Sequence, residues 1–137
     1  MVKIKAIHMK EESGSKYIDF VLDQLGPSSE DWPHETVRTL FVRFPRLLYH
    51  ESKYPKKGGF LRVVQEGTTF AHVAQHIAMT LQQKEMEDME NIKLNEHNEL
   101  VLSLPCVDYE EGIQAFRFSL HWLDQVMQSH LQDSQSS

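Results

Sequence analysis

With 137 residues, 40% of them hydrophobic and 25% charged, the chain has the make-up of one globular domain with a core of its own, and no second functional domain is expected. Twenty Asp and Glu against fourteen Lys and Arg give a net charge of −6, which excludes a general nucleic-acid binder, since phosphate contacts need clustered cations, and suits a cationic partner. The single cysteine, Cys106, excludes an internal disulfide and a thiolate zinc site, and the apolar runs are too short to span a bilayer.

The first ten residues alternate and lack the unbroken apolar core of a signal peptide, so cytoplasmic residence is expected. Val2, Ile4, Ala6 and His8 share one side of a predicted strand from Val2 to Met9. Glu11-Glu-Ser-Gly-Ser15 carries turn chemistry ahead of a second apolar run, Tyr17 to Leu22, so the two strands are expected to pair as a hairpin. Gly26-Pro-Ser-Ser-Glu30 breaks the chain. A helix is predicted from about Glu35 through Val42, stopped by Pro45, and a loop from Leu47 to Gly59, whose basic cluster Lys53 to Lys57 reads as solvated. Gly59 to Gln65 fits a short helix or a strand. From Thr68 or Thr69, either able to cap, a helix carries Val73, Ile77 and Leu81 and is expected to reach the Met86–Met89 region, whose methionines would fill core gaps. Asn91 to Asn98 reads as a polar connection, Glu99 to Pro105 as a third strand, and Asp108 onward as a last helix through Phe116, Leu120, Leu123 and Met127. The expected fold is a single α+β two-layer domain over residues 1–131, a sheet of three or four strands covered on one face by two main helices, with a mobile tail at 132–137.

His72 and His76 stand four apart on the helix that opens at Thr68 and Thr69. Their imidazoles lie on one face, one turn from each other, within reach of a single Zn²⁺. The stretch His72-Val-Ala-Gln-His76 resembles His-x-x-Glu-His, the inverzincin peptidase signature, in which the glutamate is the general base. Here that residue is Gln75, and a carboxamide has no usable basicity near neutral pH. A catalytic zinc site takes a third protein ligand, for which Glu110 or Glu111 at the start of the last helix is the best candidate. The plainer alternatives are that both glutamates only favour a helix amino terminus and that the histidines are half-buried residues of an amphipathic helix. His97, His121 and His130 carry no assigned role.

Phe44-Pro-Arg-Leu-Leu-Tyr-His50, Gly58-Gly-Phe-Leu61, Glu66-Gly-Thr68 and His72-Val-Ala-Gln-His-Ile-Ala78 followed by Leu81-Gln82 together resemble the amino-terminal domain of cyanophycin synthetases. Tyr109-Glu-Glu-Gly112 continues the likeness more weakly. The resemblance implies an α/β domain that, in full-length synthetases, precedes ATP-dependent ligase domains building a polymer of aspartate with arginine side groups. For members that keep His-x-x-Glu-His it implies zinc-dependent hydrolysis of that polymer. It also gives His50 a place beside the Gly-Gly turn, where it would orient a substrate or a ligand.

Three departures stand against it. The chain is expected to lack ligase chemistry because it ends after the first domain, Gln75 replaces the base, and Met86 to Asn95 replaces a Gly- and Arg-rich segment. The expectation is a stand-alone, catalytically inactive metallopeptidase-like module with a binding or regulatory role, with Zn²⁺ held by His72, His76 and one of Glu110 and Glu111. Its expected partners are cyanophycin, an arginine-rich peptide or a synthetase, and a homo-oligomer is compatible. The alternative is a zinc-dependent hydrolase of cyanophycin or related peptides, including an engineered Glu-to-Gln form of one. Activity in this chain would need another base, Glu66 or one of Glu110 and Glu111.

Overall fold

The amino-terminal alternation becomes a hairpin in which β1 (Ile4–Glu12) and β2 (Ser15–Leu22) pair antiparallel. Its turn is only two residues, Ser13 and Gly14, both with positive φ (53° and 80°). That backbone matches the twist of the flanking strands, and glycine adopts it at no steric cost. The short turn lets β1 run past the expected Met9. The computed structural model describes residues 2–52, 58–84 and 92–135, the side chains of 131–135 excepted.

After a 3-10 turn at Ser29–Asp31, α1 (His34–Arg43) ends at Phe44, and Pro45 opens a second 3-10 turn through Tyr49. β3 (Glu51–Ser52) and β4 (Gly58–Gly59) form a short ladder within the expected loop. The basic cluster between them lies outside the described residues. The ambiguous segment after it is a helix, α2 (Phe60–Glu66), stopped by Gly67 at φ 119°.

α3 (Phe70–Leu81) starts where Thr69 accepts a hydrogen bond from the His72 backbone N–H at 3.2 Å. It stops at Leu81, well before the expected Met86–Met89 region, whose methionines lie outside the described residues. The cause is a left-handed residue, Gln83, at φ 58°. With it the Gln83 and Lys84 N–H groups turn back onto the Thr80 and Met79 carbonyls, each at 3.0 Å, which satisfies the last carbonyls and closes the helix.

The stretch expected to be a polar connection holds a fourth strand of the sheet, β5 (Ile92–Leu94), paired with β6 (Leu100–Cys106). Asn95 makes their hairpin, its side-chain oxygen accepting from the backbone of His97 and Glu99, both at 2.9 Å. The last helix, α4 (Tyr109–Gln135), continues past Gln132, where the tail was expected to begin.

The main sheet is antiparallel in the order β1-β2-β6-β5. Register pairs Ile18 with Leu104, Phe20 with Leu102 and Leu22 with Leu100, so one face of β2 and β6 is apolar and α3 and α4 pack onto it. Phe20 and Phe116 stack with ring centroids 4.4 Å apart. α4 comes close to the sheet at Gly112, where a Cβ would stand 2.7 Å from Ile18 Cδ1 and 3.0 Å from Cys106 Cβ. α1 packs on the outer side of α4, with Phe44 edge-on to Trp122 at 4.9 Å. The result is the expected small α+β two-layer domain. Among the described residues no helix is long and apolar enough to cross a membrane.

Candidate functional site

The amino-terminal end of α3 is pinned before its histidines begin. Ser29 N–H donates to the Thr68 carbonyl at 2.7 Å, Thr68 N–H donates to Ser29 Oγ at 2.8 Å, and Ser29 Oγ donates to the Val64 carbonyl at 2.6 Å. With Thr69 acting as the cap, Thr68 is left to bond His72 Nδ1 through its hydroxyl at 2.7 Å.

His72, Gln75 and His76 are all fully buried. The two histidines do share one environment, their rings 4.8 Å apart and nearly perpendicular. Phe60, at the start of α2, packs against both. It stacks on His76 at 3.9 Å with a 19° tilt and meets His72 edge-on at 5.8 Å. His50 completes the group. Its carbonyl accepts from Phe60 N–H at 2.9 Å, which sets it against α2, and its Nδ1 lies 2.9 Å from His76 Nδ1. One imidazole of that pair must donate while the other accepts. The other ring nitrogen of His50 stands 3.4 Å from the Thr80 hydroxyl, which donates to the His76 carbonyl at 3.2 Å.

Gln75 faces elsewhere. Its Nε2 donates to the Ser103 carbonyl at 2.7 Å, and Gln82, two turns on, donates to the Pro105 carbonyl at 3.1 Å. These carbonyls are two residues apart and point to the same edge of β6, just past Leu102, where pairing with β5 ends. An oxygen at that distance from a carbonyl oxygen would be repelled, so the acceptor fixes which way the amide is turned. The remaining Gln75 oxygen is buried and has no hydrogen-bond partner among the described residues.

Glu110 and Glu111 are not brought to the histidines. Both are exposed in the first turn of α4, where their N–H groups bond Asp108 Oδ1 at 2.8 and 3.3 Å. Gly112, one residue on, approaches Gln82, six residues beyond His76 and so about 9 Å along α3. The helix-terminus role of the two acids is what the geometry supports. Among the described residues no group of three or more His, Cys, Asp or Glu side chains is disposed to hold a metal ion. The donor set at the histidines, all imidazole with His72 Nδ1 engaged by Thr68 and no carboxylate, does not fit the expected two-histidine, one-carboxylate zinc site. Glu66 is instead in an ion pair with Arg62 at 3.0 Å on the surface of α2.

Thr80 and Ser103 shape this site and were not singled out from the sequence, while Phe60 and Thr68 stood in the family motifs, and Thr68 as a candidate cap, without a role at the histidines. Thr68, His72, His76 and Thr80 follow one another at intervals of four, a polar stripe along one helical face that could have been read. No local pattern announces Ser103.

The sequence model of the cyanophycin synthase-like N-terminal domain matches residues 18–128. No curated protein and no solved structure matches the chain. The match takes in the whole of the histidine cluster and β6 and most of β2 and α4, and the chain belongs to the family of cyanophycin synthase-like N-terminal domains.

Proposed function

We propose that this domain is a catalytically inactive, metallopeptidase-like module with a binding or regulatory role. The observation that carries the reading is Gln75: besides lacking basicity, its amide is bonded to the Ser103 carbonyl. A general base must reach the proton that it abstracts, and this side chain is tied to the sheet. The family membership supports cyanophycin, an arginine-rich peptide or a synthetase as the partner, and the net charge of −6 favours the cationic choices.

The deciding experiment is hydrolysis of cyanophycin and of β-linked Asp-Arg peptides, with and without added zinc. No turnover is expected from the unmodified chain, since loss of the base alone removes about 10²- to 10⁴-fold in rate. Gln75→Glu is expected to stay inactive too, because its carboxyl would face β6. Chelator-sensitive turnover by the unmodified chain would overturn the reading. Zinc uptake, measured by elemental analysis, is expected to be weak and sub-stoichiometric and to fall further in His72→Ala. Equal uptake by the two would show that these histidines hold no metal.

A further inference from the structure

A cavity of about 500 Å³ lies against the outer side of His50, lined by Arg46, Tyr49, Glu51, Gln83 and Lys84 as well as His50 itself. Its size suits a small molecule. Arg46 comes from the 3-10 turn after Pro45, and Lys84 is delivered by the cap that ends α3. Both cations stand in one concavity although the net charge of the chain is −6. Neither has an ion-pair partner among the described residues. Glu51 and the negative end of the α3 dipole oppose them, offsetting part of the positive field. The wall nevertheless remains rich in donors: a guanidinium fork, an ammonium, the Gln83 amide and the Tyr49 hydroxyl.

We propose that this cavity binds a small organic oxyanion, a carboxylate or a phosphate ester, held by Arg46 and Lys84. Charge-assisted hydrogen bonds from a fork and a point cation are what such a group recruits. Because His50 both lines the cavity and bonds His76, the occupant touches the buried histidines through a single residue. The proposal goes beyond the binding-module reading, whose favoured partners are cationic, and the two fail separately. Turnover by the unmodified chain would remove that reading and leave anion binding standing, whereas absent anion binding removes only the cavity.

The test is the thermal midpoint of the full chain titrated with inorganic phosphate or with succinate, against chloride at matched ionic strength. A saturable rise is expected with at least one probe. A rise with phosphate alone identifies the phosphate-ester class and a rise with succinate alone the carboxylate class. Arg46→Gln or Lys84→Gln should weaken the apparent affinity roughly tenfold. Glu51→Gln removes the opposing carboxylate and should tighten binding, a gain that a damaged fold cannot imitate. No rise beyond chloride with either probe would overturn the proposal, as would equal rises in the unmodified chain and the Arg46→Gln/Lys84→Gln double variant.

Discussion

At Gln75 an amide nitrogen meets the Ser103 carbonyl at 2.7 Å, and a carboxylate of the same shape would set oxygen against oxygen in a fully buried place. Gln75→Glu is therefore expected to cost about 3 kcal/mol at neutral pH, through the lost donor and an unpaired buried charge. Burial raises such a carboxyl above its ordinary pKa, and the protonated acid can donate to Ser103. The deficit relative to the unmodified chain should be smallest below the unfolded glutamate value of about 4.3 and grow as pH rises through the raised folded value. Denaturant melts of both proteins at acid and at slightly alkaline pH check this, and a deficit independent of pH would contradict it. His72 and His76 were legible as a pair from spacing, Gln75 as the residue in the position of the base, and His50 from the family resemblance. What spacing could not convey is direction, because Gln75 finds its partner 28 positions away on a strand.

Between elements, α4 fits tightly on the sheet at Gly112. Alanine there gains about 1 kcal/mol of helix propensity. Its Cβ, however, would lie 2.7 Å from Ile18 Cδ1 and 3.0 Å from Cys106 Cβ, both in buried residues, and overpacking of that kind costs about 1–3 kcal/mol. Gly112→Ala is expected to be destabilising by about 1 kcal/mol, read as a lower denaturation midpoint. A midpoint at or above that of the unmodified chain would mean that the contact relaxes freely. Period and punctuation announced the β1–β2 hairpin, α1, β6 and α4. They missed β5 because Ile92 and Leu94 offer only two apolar positions in a polar run. They also overextended α3, since its stop is Gln83 in a left-handed conformation and no glycine or proline marks it. Such a stop depends on backbone hydrogen bonds to Thr80 and Met79, which leave little trace in residue type.

On the scale of the whole molecule, Cys106 reports on the integrity of the two layers. It is buried, and burial pushes its thiol pKa up, so the neutral form is favoured in the folded chain and the nucleophilic thiolate is scarce. The stability contributed by keeping it neutral is present below the ordinary thiol range and is lost as pH rises through the raised folded value. A thiol reagent at pH 8 should label the native chain at least about a thousandfold more slowly than the denatured one, reflecting the small unfolded population. Labelling at similar rates would show that the α4–sheet seam opens without unfolding.

The glutamine bonds to β6 also bear on how the protein behaves in a crowded solution. An open strand edge is a template on which another chain can build. At Ser103 and Pro105 the carbonyls that would receive a foreign strand are already taken by side chains of α3. The opposite margin is guarded differently: β1 carries an irregularity between Ile4 and Ala6 and exposes Lys5, Lys10, Glu11 and Glu12, charges that discourage stacking of sheet on sheet. Of the sheet's margins, β1 is thus blunted by charge, and the part of β6 that runs on past β5 is occupied by side chains from the α3 layer, which leaves the short outer edge of β5 as the place where an incoming strand could add.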